Sequence, residues 1–266
     1  MKIFDTLQKY NLKIKKNFGQ NFLINKGILN LIAENSEISK DDTIVEIGPG
    51  LGFLTEILLK KAKKVISIEK DDTLIPVLKE KFIDFKNFHL ENLDALKYDI
   101  KEKNYKIVAN IPYYITSPLI RHFYSQKTMP KSVTILVQKE VADKICDTKK
   151  LSILSLEVLL YATPYKIKTV SKNSFFPAPK VNSEILLLKT LPKNQIPSQA
   201  ETKKIMNIAK IIFSNKRKKL LKTLQKSLKL DEKTIQKIKT ETKIKQDQRP
   251  EELKISDLKN LITHLP

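Results

Sequence analysis

Only five glycines occur in 266 residues, and three of them stand at alternate positions: Gly48, Gly50 and Gly52. They lie in Val45-Glu-Ile-Gly-Pro-Gly-Leu-Gly-Phe-Leu54, where an apolar β-branched run gives way to a helical pattern. Glycine reaches positive φ at little cost and lets the backbone approach a ligand with no Cβ in between. An ordinary strand-to-helix turn accounts for a lone glycine there. Three of five at one turn predict a ligand loop between a buried strand and a helix, the opening unit of an α/β sheet.

The rest of the chain fits that beginning. Strand-type runs fall at 43–47, 65–69, 87–91, 106–109, 133–138, 165–170 and 185–189. Helical patterns lie between them, for example at 53–61 and 73–82. Ser117-Pro118 reads as an N-cap followed by proline at the first helical position, opening a helix over 119–125. The segment 191–198 carries two prolines and reads as a linker. Beyond it the pattern is wholly helical, at 205–213, 220–228 and 253–265. The expected fold is α/β, a Rossmann-like sheet of seven mostly parallel strands over 1–190, plus a small all-helical domain over 198–266.

Charge narrows the partner. The net charge is +21, from 50 basic and 29 acidic residues. Only Arg121, Arg217 and Arg249 are arginine, so compositional drift explains lysine replacing arginine. Drift does not explain the excess of basic over acidic residues, and a basic field of this size predicts a polyanion, nucleic acid before lipid. Residues 190–266 hold 19 basic and 8 acidic residues, so the helical part is the more basic per residue. One cysteine, Cys146, excludes an internal disulfide framework and suits a reducing cytoplasm. The histidines, His89, His122 and His264, have no metal-ligand spacing, and no metal is expected. No apolar run has the length of a membrane span, and the first twenty residues lack a secretory h-region.

The expected ligand edge lies at the C-terminal ends of the strands. Glu69 ends the second strand, where a carboxylate can accept both hydroxyls of an adenosine ribose. Asp94 follows the third and is placed to accept from an adenine amine. A nicotinamide enzyme is compatible with these residues, but its loop has G-x-G-x-x-G spacing and faces a pyrophosphate. The G-x-G-x-G spacing after Glu46 resembles instead motif I of class I methyltransferases, which implies S-adenosylmethionine. At the same edge stands Asn110-Ile111-Pro112-Tyr113. The lone pair of an exocyclic amine is delocalised into its ring. Two acceptors, the Asn110 side-chain oxygen and the Ile111 carbonyl, could hold its N–H groups and aim that lone pair at a methyl donor. Pro112 fixes the turn, and Tyr113 offers a stacking face. A strand-ending turn is the bland alternative, and DNA N6-adenine, glutamine and other amine methyltransferases share such a motif.

Together these residues resemble the ribosomal RNA adenine dimethyltransferases, in particular the small-subunit type whose loss gives kasugamycin resistance. Lys16-Asn-Phe-Gly-Gln-Asn-Phe-Leu23 is similar to the family's N-terminal signature, which implies that Asn21 and Leu23 contribute to the cofactor pocket. Phe175-Phe-Pro-Ala-Pro-Lys-Val-Asn-Ser183 resembles its late motif. There Phe175 would cover the target base opposite Tyr113, and Lys180 would approach the RNA. Phe213-Ser-Asn-Lys-Arg-Lys-Lys-Leu-Leu-Lys222 resembles the small-subunit pattern F-x-x-R-R-K-x-L, with Lys216 in place of its first arginine, followed by Arg217 and Lys218. For these basic residues a solvated helix face is as good a reading as an RNA contact. Gln248-Arg-Pro-Glu-Glu-Leu253 resembles the late R-P-E-x-L stretch. The resemblance implies N6,N6-dimethylation of two adjacent adenines in the 3′-terminal hairpin loop of 16S ribosomal RNA, contributing to small-subunit maturation by a monomeric cytoplasmic enzyme. The rivals are a large-subunit enzyme of the macrolide-resistance type, and a ribosome-assembly or transcription factor that kept the fold.

Overall fold

The computed structural model describes residues 3–15, 19–111, 115–147, 149–215 and 218–265. The chain divides into two compact units, 1–142 with 164–190, and 143–163 with 191–266.

The first unit begins with helix α1 (Ile3–Lys9), the two-residue strand β1 (Phe22–Leu23) and α2 (Lys26–Asn35). Alternation then follows: β2 (Thr43–Ile47), α3 (Phe53–Lys61), β3 (Lys64–Glu69), α4 (Ile75–Lys81), β4 (Phe88–Asn92), β5 (Tyr105–Asn110), α5 (Thr116–Tyr124) and β6 (Ser132–Gln138). Helices α6 (Lys139–Cys146) and α7 (Ile153–Leu159) precede β7 (Ala162–Val170), the two-residue β8 (Phe175–Phe176) and β9 (Ser183–Thr190). Seven strands form one sheet in the order β4-β3-β2-β5-β6-β9-β7, while β1 and β8 pair separately. Strands β2 to β6 run parallel and β9 is antiparallel to β6. Each run read as a strand from the sequence coincides with one of these seven, with only the ends adjusted.

Burial explains why the central strands are so legible. In β2, Ile44 and Val45 are 0% exposed and Ile47 is 2% exposed, as expected for a parallel strand covered on both faces. Helix α3 occupies the range its periodicity indicates. Helix α5 starts earlier than expected: Ser117 is its second residue rather than its N-cap, and Ile115 holds the cap position without a side-chain hydrogen bond. Pro118 is tolerated because N–H groups of a first turn have no intrahelical acceptor, so proline marks that turn without marking its first residue.

The second unit contains α7, α8 (Gln199–Phe213), α9 (Leu220–Leu228), α10 (Glu232–Glu241) and α11 (Ile255–Thr263). Its division differs from a sequential split at 190–198. Leu151, Leu156 and Leu160 belong to the same apolar cluster as Ile212, Leu224 and Leu261, so 143–163 pack with the C-terminal helices. The segment 191–198 contains a 3₁₀ turn at Lys193–Gln195 and ends in a capping box. Ser198 Oγ accepts the Glu201 N–H at 3.2 Å, while the Glu201 carboxylate accepts the Ser198 N–H at 2.8 Å. Helix α10 buries only Ile235 and Ile238, too few apolar positions to announce it by periodicity.

Candidate active site

In the sheet β2 lies between β3 and β5, so the chain winds outward to β4 and then returns to the other side of β2. Strand order reverses there, and a crevice opens beyond the carboxyl ends of the strands. A cavity of about 290 Å³ occupies that place. Its wall is built from 19–23, 46–51, 68–71, 93–96, Asn110, Ile111 and Phe175, with Leu29, Phe53, Leu54, Leu74 and Ile115.

The glycine loop is shaped by backbone conformation. Gly48, Gly50 and Gly52 have φ of +68°, +59° and +75°, all left-handed. The Gly48 N–H donates to the Ile68 carbonyl at 3.0 Å, which pins the loop to β3. A Cβ on Gly48 would stand 3.6 Å from the Asn110 main-chain oxygen, so loop and tetrapeptide are neighbours. A Cβ on Gly50 would come within 3.1 Å of the Phe22 ring. Gly52 serves differently from the grouping its spacing suggests, since it is absent from the cavity wall and a Cβ there would lie 2.6 Å from Phe82. Gly52→Ala is therefore expected to destabilise the fold by about 2–4 kcal/mol, from left-handed strain and overpacking. Urea unfolding checks this, as a lower midpoint at unchanged slope. Lys81 braces the same turn: its Nζ donates to the carbonyls of Leu51 at 3.3 Å and Gly52 at 3.1 Å. It also lies over the rings of Phe53 and Phe82.

Glu46, 1% exposed, ties β2 to its neighbours. Its Oε2 accepts from Ser67 Oγ and Thr55 Oγ1, both at 2.7 Å. Burial pushes its carboxyl up to about 7 despite those hydrogen bonds, and the charge of Glu69 acts in the same direction. Below the ordinary 4.5 the group is protonated whether the chain is folded or not. As pH rises from there to about 7 the unfolded chain ionises first, so folded stability falls. The loss is about 3 kcal/mol when complete. Glu46→Gln removes this slope; urea unfolding between pH 4.5 and pH 8 should show the wild type losing that much more than the variant.

Glu69 is 7% exposed, and each carboxylate oxygen accepts a main-chain N–H: Oε1 from Asp71 at 2.8 Å and Oε2 from Gly50 at 3.1 Å. Burial holds its carboxyl above the usual range, against those hydrogen bonds. A carboxylate has about four acceptor sites, so capacity remains for donors from a ligand. Asn92, which sequence reasoning did not single out, supports the same turn by donating to the Glu69 carbonyl at 3.1 Å and to Asp72 at 3.0 Å. Asp94 reaches the cavity but is already engaged. It accepts the Leu96 N–H at 3.0 Å, and Lys70 Nζ lies 2.8 Å from its other oxygen. The Lys70 hydrogen bond keeps its carboxyl below the usual range, against burial.

Two distant sequence signatures meet here. Strand β1 pairs antiparallel with β8, bringing Leu23 opposite Phe175 and Phe22 opposite Phe176. Leu23 and Phe175 are 2% and 4% exposed, so the Phe175 ring faces the apolar core and the cavity rather than solvent. Asn21 donates its side-chain N–H to the Gly19 carbonyl at 3.0 Å. Asn110 is half-buried at the end of β5, and Ile111 is 4% exposed. Pro112 and Tyr113 lie outside the described residues, as do Lys216 and Arg217. Lys180 and Lys218 are exposed and are not part of the cavity wall. Among the described residues no cluster of three or more His, Cys, Asp or Glu side chains forms a metal site. No helix among them is long and apolar enough to cross a membrane.

A family model described as ribosomal RNA adenine dimethylase matches residues 11–261. The chain belongs to this family. It is 41% identical to the "Ribosomal RNA small subunit methyltransferase A" of Clostridium botulinum (strain Langeland), over 97% of this chain and 96% of that one. The protein of the same description from Clostridium acetobutylicum is 40% identical, over 98% of each chain. Among solved structures, a dimethyladenosine transferase from Plasmodium falciparum superposes with a TM-score of 0.78 at 27% identity, covering 90% of this chain and 95% of that one. The 23S rRNA methyltransferase ErmE shares the fold, with a TM-score of 0.75 at 24% identity, over 92% and 99% of the two chains. The chain is thus a methyltransferase with a Rossmann-like fold, and the family and fold imply an S-adenosylmethionine methyl donor and a ribosomal RNA substrate.

Proposed function

We propose that the enzyme converts two adjacent adenines in the 3′-terminal hairpin loop of small-subunit ribosomal RNA to N6,N6-dimethyladenosine, contributing to subunit maturation. The observation that carries this reading is one cavity at the strand-order reversal, bounded by the buried Glu69 carboxylate and by Asn110 and Ile111. The choice of subunit is supported by the relatives, whose shared description names the small one. ErmE shares the fold, but its likeness in sequence is lower.

The residues fit the donor: a buried acceptor with capacity left, glycines that keep side chains out of the loop, and an apolar floor. Glu69 would hold the ribose hydroxyls, with Gly48, Gly50, Asn21, Leu23 and Asp94 around the rest. Asp94 would exchange its Lys70 contact for the adenine amine. When bound, S-adenosylmethionine supplies a sulfonium-activated methyl group. The Asn110 side-chain oxygen and the Ile111 carbonyl accept the two N–H groups of the target amine, which favours a tetrahedral nitrogen with its lone pair directed inward. Tyr113 stacks on the unpaired base, and Phe175 closes the opposite side from within the cavity. The methylated ammonium is acidic and releases its proton to water, so no strong general base is required. Catalysis rests on position and electrostatics. Lys180, Lys216, Arg217 and Lys218 supply charge towards the RNA backbone, and the enzyme acts as a cytoplasmic monomer on the assembling subunit.

The test is label transfer from radioactive S-adenosylmethionine to three acceptors: immature small subunits, large subunits and DNA. Label in small-subunit RNA is expected. Label confined to large-subunit RNA or DNA contradicts the assignment.

A further inference from the structure

We infer that Asp71 is a positioning residue that clamps the N-terminal segment onto the cavity, so that residues 19–23 can serve as its wall. This rests on the reading of the cavity as the S-adenosylmethionine site. Asp71 is 3% exposed and stands two residues beyond Glu69. Its carboxylate grips the segment at two points: Lys15 Nζ donates to Oδ1 at 2.6 Å, and Gln20 Nε2 donates to Oδ2 at 2.6 Å. The Gln20 side-chain oxygen turns back to accept the Lys15 N–H at 2.8 Å. One carboxylate and one amide thus tie Lys15 and Gln20 to each other and to the turn that follows β3. Thr73 holds Oδ1 from the other side, through its N–H at 3.1 Å and its hydroxyl at 2.7 Å. Burial alone would raise the Asp71 carboxyl, but the hydrogen bonds from Lys15, Thr73 and Gln20 hold it below the usual range.

The main-chain N–H of Asp71 donates to Glu69 Oε1. The residue that orients the ribose acceptor is therefore the one that holds Gly19, Gln20 and Asn21 at the cavity. A second ion pair from the N-terminal segment, Lys9 with Glu80, joins side chains that are 54% and 58% exposed, where such pairs contribute little. Asparagine cannot replace Asp71. Its NH₂ would face either the Gln20 NH₂ or, turned over, the Lys15 ammonium and the Thr73 N–H.

The test compares wild-type, Lys15→Met and Asp71→Asn full-length chains by calorimetric binding of S-adenosylhomocysteine and by hydrogen exchange over 12–23. Lys15→Met leaves the sheet untouched, so it remains informative if Asp71→Asn folds poorly. The dissociation constant is expected to rise roughly tenfold in Lys15→Met, as for loss of one charged hydrogen bond. Exchange at 19–23 should accelerate while β2 and β3 stay protected, and the KM for the donor should move far more than kcat. Wild-type affinity in Lys15→Met despite faster exchange at 19–23 overturns the inference, and so does unchanged exchange. Failure of the wild type to bind would instead overturn the cofactor reading beneath it.

Discussion

Asn110→Ala is expected to lower the rate of methyl transfer by about 10²–10³-fold, the usual effect of deleting one preorganised polar partner of a transition state. The reason is specific to amines conjugated with a ring. Without the Asn110 acceptor the nitrogen is held more nearly planar, with its lone pair in the purine. In the first transfer the Ile111 carbonyl is left to hold one of two N–H groups, and in the second the single N–H of the monomethylated amine loses one of its two acceptors. The fold should hardly notice. Asn110 ends β5 opposite Leu136 of β6, and its ladder contacts are made by the main chain, which alanine retains. A stability change of about 1 kcal/mol or less is expected. Single-turnover kinetics with saturating donor separate the chemical step from binding. Transfer at the wild-type rate would remove Asn110 from the mechanism.

The second large effect belongs to Glu69. Glu69→Gln keeps the shape but loses the charge and one acceptor, so either the Gly50 or the Asp71 N–H faces an NH₂ group. The dissociation constant for S-adenosylhomocysteine is expected to rise by about 2–4 kcal/mol, or roughly 30- to 700-fold. The wild type carries a related pH signature. Burial raises the Glu69 carboxyl, so protonation sets in above the pH at which an ordinary carboxylate begins to titrate. Affinity for the ribose hydroxyls falls as pH is lowered through that range, and the glutamine variant should lack the fall. Calorimetry across pH measures both effects, and a flat wild-type profile would mean that the ionised carboxylate is not the acceptor.

The sequence carried the parts of this site that depend on local chemistry. The left-handed Gly48 and Gly50, and a carboxylate and an amide at strand ends, are each written in a short local stretch, and the parallel sheet announces itself through strands apolar on both faces. The contributions that escaped are those made by tertiary contact. Asp71 sits in Lys70-Asp-Asp72, which reads as a solvated charge run until Lys15 and Gln20 are brought to it. Lys81 reads as one lysine of a helix end, and only folding places its ammonium on the Leu51 and Gly52 carbonyls. Gly52 shows the opposite error: spacing groups it with the ligand glycines, whereas Phe82 is what requires it to lack a side chain. Residues 143–161 precede β7 in the chain yet share the core of the C-terminal helices, because burial of Leu156 and Leu160 outranks sequence order.

The most direct measurement is mass spectrometry of small-subunit RNA after incubation of immature subunits with the enzyme and S-adenosylmethionine. Two adjacent N6,N6-dimethyladenosines in the 3′-terminal hairpin loop are expected, both absent when Asn110→Ala is used for the same time. Unmodified small-subunit adenines, with methylation found at another base, in large-subunit RNA or in DNA, would contradict the account.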